Sequence, residues 1–352
     1  MDIALVLQGG GALGAYEYGA VTELVRNGIN PKIVAGVSIG AINSAAIAGA
    51  KDGDIVGSLT ELWRRLTLDL PKFFPEQLLK NMALFGNPNF YFLRTDWWQY
   101  NAWTSFCDTR PIHKTLEQVI DWDRLNDTKT IRIAVTAVNV ATGTQTHFSN
   151  AERRLDSRHI IASGSLPPGF PATLIDGQHY WDGGLFDNTP LPPLFDLLTE
   201  DETENLPIIM IDLIPNADHV PKNLHDVRNR MSELSFENRF WDEYGGHQGL
   251  VEHARILNEI DKLVPVNHPL RREREYRRMM EYCACRNLHV ITPSHQTMSE
   301  GHDFSPAGIS HRYQSGVAAV RSFLEGQFGK THSLKSERQN VAKAAMLENV
   351  LN

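Results

Sequence analysis

The sequence is poor in cysteine, has no long apolar run and carries no excess of positive charge. Its 352 residues include 3 cysteines, too few for a disulfide framework. No stretch of about 20 uninterrupted apolar residues occurs, so no transmembrane helix is predicted. The net charge of −8 offers no basic surface for nucleic acid. These absences argue against a disulfide-stapled domain, a membrane-spanning protein and a nucleic-acid-binding protein.

The first residues lack the basic segment, apolar core and cleavage site of a secretory signal peptide. We therefore expect a cytoplasmic protein with reduced thiols, although secretion without a cleaved signal is compatible with the sequence. Cys283 and Cys285 are close together, but the sequence has no second such pair. They are interpreted as structural, and no metal site is predicted.

The order of apolar runs and helical patterns predicts an α/β fold with a largely parallel sheet. Residues 3–7 are a continuous apolar run, typical of a strand buried on both faces. A glycine-rich loop, a helix over residues 15–26 and a strand over residues 33–37 follow. Further strands are predicted over residues 131–138, 144–148, 178–181, 207–213 and 288–291. Further helices are predicted over residues 54–66, 224–262 (interrupted at Gly245-Gly246), 270–286 and 306–325.

The segment Gly36-Val37-Ser38-Ile39-Gly40 joins the second strand to an apolar helix. In such a sharp turn the serine hydroxyl projects from the top of the sheet, and the glycines allow close approach of neighbouring backbone. The N-terminus of the next helix supplies N–H groups to a developing oxyanion. The pattern is short and also occurs by chance, so it only suggests a serine hydrolase.

The glycine-rich loop, Gly9-Gly10-Gly11-Ala12-Leu13-Gly14, matches the dinucleotide-binding fingerprint. An NAD(P)-dependent oxidoreductase is therefore one alternative. That alternative requires an acidic residue at the end of the second strand, where this chain has Gly36-Val37-Ser38. Consecutive glycine N–H groups can instead form an oxyanion hole beside the serine turn.

A serine nucleophile needs a general base. The histidines that follow Ser38 form no compact motif, whereas Asp182-Gly183-Gly184 places a carboxylate at a strand end beside two glycines. The same residues would also suit an ordinary Asp-Gly hairpin turn. Asp182 is thus a better candidate for the base than any histidine. The pattern alone does not decide between a catalytic carboxylate and a hairpin turn.

Residues 71–106 are rich in aromatic side chains and are interrupted by Pro71, Pro75 and Pro88. We interpret them as an irregular insertion. It forms either a lid or acyl-chain channel, or a satellite core beneath a long loop.

Taken together, the chain resembles the bacterial patatin-like phospholipases. The residues that support the resemblance are Gly9–Gly14, Gly36–Gly40 and Asp182-Gly183-Gly184, with Leu166–Pro171 before and Asn188-Thr189-Pro190 after the last motif. The resemblance is strong over residues 3–215 and weaker beyond. It implies a catalytic domain over residues 1–215 with the aromatic insertion at about 70–107. A mostly helical C-terminal extension would follow over residues 216–330, and a tail over residues 331–352.

The resemblance implies a three-layer α/β/α sandwich with a largely parallel central sheet. Ser38 would be the nucleophile and Asp182 the base, with Gly9, Gly10, Gly11 and Ile39 forming the oxyanion hole. The implied activity is hydrolysis of acyl esters of lipids without metal or cofactor, with a lipid substrate and transient contact with a membrane surface. Leu13 stands where many members have Arg or Lys, which weakens the case for an anionic headgroup. A catalytically degenerate lipid-binding protein is the remaining alternative.

Overall fold

The computed structural model describes residues 1–68, 85–214, 220–236, 246–293 and 301–326. The strands are β1 (Asp2–Leu7), β2 (Asn30–Gly36), β3 (Gly86–Asn87), β4 (Tyr91–Leu93), β5 (Cys107–Asp108), β6 (Arg132–Asn139), β7 (Thr144–Ser149), β8 (Thr173–Ile175), β9 (Gln178–Asp182), β10 (Ile208–Ile211) and β11 (Leu288–Ile291). The helices are α1 (Gly14–Arg26), α2 (Ile39–Ala48), α3 (Ile55–Leu66), α4 (Arg110–Val119), α5 (Trp122–Leu125), α6 (Ser157–Ser163), α7 (Leu191–Phe195), α8 (Glu200–Asn205), α9 (Leu224–Phe236), α10 (His247–Leu263), α11 (Arg274–Glu281) and α12 (residues 306–326).

A mixed, mostly parallel sheet forms the middle layer. Its strand order is β11-β10-β1-β2-β6-β9-β8, with β7 paired to β6. The neighbours from β11 to β6 are parallel, whereas β7, β8 and β9 pair in antiparallel fashion. The predicted largely parallel sheet is confirmed.

Alternate side chains of β1 enter two different hydrophobic cores. Ile3, Leu5 and Leu7 pack in the core that includes α1, α2 and α3. Ala4 and Val6 pack in the core that includes α7 and α10. Because successive strand residues face opposite sides of a sheet, helices cover both faces. This arrangement is the predicted three-layer α/β/α sandwich.

Strand β9 occupies the edge of β6 that β2 leaves free. β2 pairs with β6 only as far as Gly36 opposite Val135. β7 pairs along the other edge of β6 from Ala134 to Asn139. β9 must therefore lie along the same edge of β6 as β2. Its last residue, Asp182, pairs opposite Ala137 of β6. This register brings the end of β9 next to the turn that follows β2.

Several predicted elements are shorter in the structure. The strand predicted over residues 207–213 ends at Ile211, because the Leu213 N–H donates to the Gln8 side chain instead of to a strand partner. The helix predicted over residues 270–286 is α-helical only over Arg274–Glu281 and has a 3₁₀ turn on each side. The extended backbone of Glu273 separates the first turn from the helix.

The described part of the aromatic insertion contains a small antiparallel sheet, β3-β4-β5, and a 3₁₀ turn at Trp97–Ala102. The rest of the insertion, residues 71–84, lies outside the described residues, as does the predicted tail over residues 331–352. The predicted interruption at Gly245-Gly246 falls partly outside them as well.

The C-terminal part of the chain joins the central layers. β11 pairs with β10 at the edge of the main sheet. Helix α12 crosses α1 in direct contact: a Cβ on Gly19 would lie 2.0 Å from the Tyr313 carbonyl oxygen, and one on Gly316 would lie 2.1 Å from the Tyr16 carbonyl oxygen. The predicted domain boundary at residue 215 stays a prediction.

Within the described ranges, no helix is long and apolar enough to cross a bilayer.

Candidate active site

Ser38 lies in a tight turn between β2 and α2, with φ 55° and ψ −123°. This positive φ is unusual for a residue with a side chain. The flanking glycines are sterically required. A Cβ on Gly40 would lie 2.4 Å from the Leu7 carbonyl oxygen, and one on Gly36 would lie 2.4 Å from the Gly40 carbonyl oxygen. The turn therefore has the strand–turn–helix geometry that the motif predicts.

The backbone of Ser38 is held by the end of α6. Its N–H donates to both the carbonyl oxygen and the hydroxyl oxygen of Ser163, each at 3.1 Å. Ser163 is fully buried. The sequence analysis did not assign Ser163 a role, because its contact with Ser38 depends on long-range packing.

Asp182 ends β9 and lies beside Ser38. Its side chain lines the same cavity as Ser38 and accepts the Gly184 N–H at 2.8 Å. Burial raises the pKa of Asp182 from 3.8 to about 7, while the hydrogen bonds from Ser38 and Gly184 oppose that rise. A carboxyl group with this pKa is well suited to accept a proton near neutral pH. The structure thus brings together the two residues predicted as nucleophile and base.

Asn188 clamps the glycine-rich loop. The Gly9 N–H donates to Asn188 Oδ1 at 3.0 Å, and Asn188 Nδ2 donates to the Gly9 carbonyl oxygen at 3.2 Å. Gly9 also lies against the serine, since a Cβ placed on it would be 2.9 Å from Ser38 Cβ. The Gly9 N–H is therefore already engaged in a hydrogen bond within the protein. The sequence analysis named Asn188 only as part of the motif after Asp182 that supports the family resemblance, and gave it no role.

Three other hydrogen bonds fix the same loop. Gln8 Nε2 donates to Thr189 Oγ1 at 2.8 Å, and its Oε1 accepts the Leu213 N–H at 2.8 Å. On the far side, the Ala12 N–H donates to the Gly301 carbonyl oxygen at 2.7 Å. The loop is thus held by segments distant from it in sequence.

The N–H groups of Gly10, Gly11 and Ile39 differ from that of Gly9. Among the described residues, none of the three donates a backbone or side-chain hydrogen bond. All three residues line the cavity that contains Ser38 and Asp182. These N–H groups are therefore not engaged in hydrogen bonds within the described part of the chain.

A cavity of about 400 Å³ opens at Ser38 and Asp182. Its wall is mostly apolar, with side chains from several elements: Leu13, Ile42, Phe90, Tyr91, Leu166, Phe170, Ile214, Phe236 and Phe304. Phe90 packs with its ring centroid 5.7 Å from both Phe170 and Phe304. The described part of the aromatic insertion thus supplies wall residues to the cavity and also packs in the main core.

His302 also lines the cavity. The sequence analysis found no compact motif around it and gave it no role. Across the part of the chain that the structure describes, no group of three or more His, Cys, Asp or Glu side chains could hold a metal ion. The three cysteines are buried and form no disulfide.

Comparison with known proteins decides the family. The model of the patatin-like phospholipase family matches residues 5–195, more than half of the chain. The chain belongs to the patatin-like phospholipase family. This membership supports lipid acyl hydrolysis as the general activity, and it favours the hydrolase over the dinucleotide-binding alternative for the Gly9–Gly14 loop. No curated protein matches the sequence.

Among solved structures, the chain is similar to VipD from Legionella pneumophila. The sequence identity is 15% and the TM-score 0.41, with 92% of this chain and 67% of VipD covered. The family match includes Ser38, Asp182 and the glycine-rich loop, whereas Gly301, His302 and Phe304 lie outside it.

Proposed function

We propose that the protein is a serine esterase of the phospholipase A type, which hydrolyses carboxylic esters of acyl lipids through Ser38 and Asp182. The observation that supports this proposal best is the placement of Ser38 and the buried Asp182 carboxyl group in the wall of one apolar cavity. A nucleophile beside its base is the arrangement that covalent acyl transfer requires.

The reaction would proceed in two steps. Asp182 accepts the Ser38 proton as Ser38 Oγ attacks the ester carbonyl carbon, and the protonated Asp182 then donates to the departing alkoxide. Water, deprotonated by Asp182, attacks the resulting acyl-enzyme, and the carboxylic acid leaves as Ser38 regains its proton.

The oxyanion formed in each step would lie against the N–H groups of Gly10, Gly11 and Ile39. The Gly9 N–H, although predicted to take part, already donates to Asn188. In other serine enzymes the loss of one such donor costs about 3–4 kcal/mol of transition-state stabilisation. Three such donors would supply a large share of the expected rate enhancement.

The cavity suits an acyl chain better than a charged headgroup. Phe90, Phe170 and Phe304 give it an aromatic wall. None of the described residues that line it is Arg or Lys, and Leu13 contributes an apolar side chain. We infer that substrate selection depends on the acyl chain, with the headgroup directed away from the cavity.

Labelling with a fluorophosphonate, which reacts with activated serines, tests the assignment. Wild-type protein should be labelled and should hydrolyse a soluble p-nitrophenyl ester, whereas Ser38→Ala should do neither. Asp182→Asn should lose nearly all turnover, because its amide cannot accept the Ser38 proton.

His302→Ala is the control that separates a Ser–Asp dyad from a triad. It should keep most of the turnover, since Asp182, which lines the same cavity as Ser38, is the proposed base. A folded but inactive His302→Ala would overturn the dyad. An unlabelled wild-type protein would instead support the alternative of a degenerate lipid-binding protein.

A further inference from the structure

Large exposed apolar side chains are close in sequence to cavity-wall residues on three separate segments. Phe92 follows the wall residues Phe90 and Tyr91 and is 41% exposed. Phe186 lies just after the wall residue Gly184 and is 62% exposed. Leu234 lies just before the wall residue Phe236 and is 50% exposed. Segments that enclose the cavity therefore also present apolar side chains to solvent. We call Phe92, Phe186 and Leu234 the apolar rim.

The aromatic insertion extends this exposed surface. Trp97 is 65% exposed, Trp98 is 80% exposed and Tyr100 is 56% exposed, all within the single 3₁₀ turn at Trp97–Ala102. We call these three side chains the aromatic tip. Trp and Tyr combine an apolar ring with a polar N–H or O–H, which is why they favour the boundary between water and lipid chains.

The insertion is continuous with the cavity wall. The Phe106 N–H donates to the Pro168 carbonyl oxygen, and the Cys107 N–H donates to the Gly169 carbonyl oxygen. Pro168 and Gly169 lie between Leu166 and Phe170, which both line the cavity. The strands that support the aromatic tip are thus fastened to the loop that forms the cavity wall.

The charges near the tip are balanced. Arg94 pairs with Asp96 at 2.6 Å, and Arg110 pairs with Asp108 at 2.7 Å. Both guanidinium groups also contact aromatic rings: Arg94 lies 5.1 Å from the Trp103 ring centroid and Arg110 lies 5.6 Å from that of Phe92. With a net charge of −8 for the whole chain, attraction to an anionic surface is not the expected driving force.

We propose that the aromatic tip and the apolar rim form a docking face for an electrically neutral lipid–water interface. Apolar contact at this face places the cavity mouth on the lipid surface, so an acyl chain passes from the lipid into the cavity with little exposure to water. The proposal rests on the proposed function, because it assigns an acyl chain to the cavity.

Co-sedimentation with lipid vesicles tests this face. The full-length chain carrying Ser38→Ala, which leaves vesicle lipids intact, should bind vesicles of phosphatidylcholine alone. Addition of phosphatidylglycerol or a change in salt should alter this binding little. The double substitution Trp97→Ala with Trp98→Ala should weaken it by roughly tenfold or more. Phe186→Ala, in the apolar rim, provides an independent variant should the double variant fail to fold.

A matched control uses exposed apolar side chains on another part of the surface. Leu263 is 83% exposed and Val266 is 85% exposed, and neither lies on an element that lines the cavity. Leu263→Ala with Val266→Ala should leave vesicle binding unchanged. On the active protein, the tryptophan double variant should hydrolyse a soluble ester at the wild-type rate but vesicle lipid more slowly.

Several results would overturn the docking face. They are unchanged vesicle binding in both the tip and rim variants, binding that requires phosphatidylglycerol and disappears in salt, or a dimer in solution that these substitutions separate into monomers. Ester hydrolysis without vesicle binding would refute the docking face and leave the proposed function intact. Tryptophan-dependent vesicle binding without any ester hydrolysis would refute the proposed function and leave the docking face intact.

Discussion

At the scale of single residues, Ser38 has a backbone conformation that disfavours side chains. Its φ of 55° and ψ of −123° are normally reserved for glycine. Such conformations cost about 1–3 kcal/mol and persist only where surrounding contacts hold them. Here the Ser38 N–H is fixed by Ser163, and the flanking glycines leave no room for an alternative path. The strain exposes the hydroxyl to the cavity.

This strain predicts an unusual order of stabilities. Ser38→Ala keeps the strain, whereas Ser38→Gly removes it, and both lose the Ser38 hydroxyl. Ser38→Gly should therefore be the more stable of the two by about 1 kcal/mol, after allowing roughly 0.5–1 kcal/mol for the greater flexibility of unfolded glycine. Urea unfolding of the two variants measures the difference. A more stable Ser38→Ala would show that the turn is not strained.

The raised pKa of Asp182 predicts an acid limb in the pH dependence of activity. Only the ionised carboxylate can accept the Ser38 proton, so kcat/KM for a soluble ester should fall below pH 7 by about tenfold per pH unit. The relevant pKa of Asp182 is about 7, well above its ordinary value of 3.8. A pH profile of kcat/KM provides the measurement, and constant kcat/KM down to pH 5 would contradict Asp182 as the base.

Unfolding caused by protonation of Asp182 would not explain the fall in kcat/KM below pH 7. Because its pKa is raised in the folded state, the folded protein binds the proton more tightly than the unfolded chain. The contribution of Asp182 to stability is therefore fully present at low pH and is lost as the pH rises through about 7. Far-UV circular dichroism at each pH separates the two effects.

At the scale of elements, the site depends on strand pairing that sequence patterns do not encode. The Ser38 turn could be predicted because strand, turn and helix are contiguous. Asp182 reaches Ser38 because β9 pairs with β6 beyond the point where β2 ends. The family resemblance predicted that Ser38 and Asp182 act together. The local pattern around Asp182 was equally compatible with an ordinary hairpin turn. Asn188 belongs to the motifs that carry the resemblance, but its contact with Gly9 and the contact of Ser163 with Ser38 were not predicted, since both are long-range.

The crossing of α1 and α12 predicts a specific loss of stability. In a helix, Gly→Ala normally stabilises by about 0.5–1 kcal/mol. At Gly316, however, the added Cβ would lie 2.1 Å from the Tyr16 carbonyl oxygen, so the helices would have to separate. We expect Gly316→Ala to destabilise the protein by roughly 1–3 kcal/mol, as overpacking usually does. Thermal unfolding measures the change.

Gly326 provides the control on the same helix. No described atom would lie within 4 Å of a Cβ there. Gly326→Ala should leave the melting temperature unchanged or slightly higher. Equal melting temperatures for the two variants would show that α12 does not pack tightly on α1.

At the scale of the whole molecule, the cavity at Ser38 extends beyond the segment that identifies the family. The family match ends at residue 195, yet Gly301, His302 and Phe304 line the cavity. The strand over residues 288–291 was predicted, but its place beside β10 was not, because an apolar run does not specify its partner. The sequence therefore predicted the C-terminal secondary structure, but not that residues near it line the cavity.

A truncated chain tests this dependence. A protein that ends after residue 293 lacks the Gly301 carbonyl oxygen that accepts the Ala12 N–H, the Phe304 ring in the cavity wall and the buried Ile309 and Val320 of the main core. Since a missing helix leaves apolar surface exposed, we expect poor folding and no measurable ester turnover. A protein that ends after residue 326 keeps every contact described and should retain turnover.

Circular dichroism and hydrolysis of a soluble ester measure both truncated chains. Should the chain that ends after residue 293 fold and hydrolyse the ester at the full rate, the complete site would lie within the first part of the chain, and Gly301 and Phe304 would be dispensable. Loss of activity with folding retained would instead show that the cavity needs residues after 293, which include Gly301 and Phe304. In that case Gly301, through its contact with Ala12, would hold the loop whose free N–H groups we assign to the oxyanion.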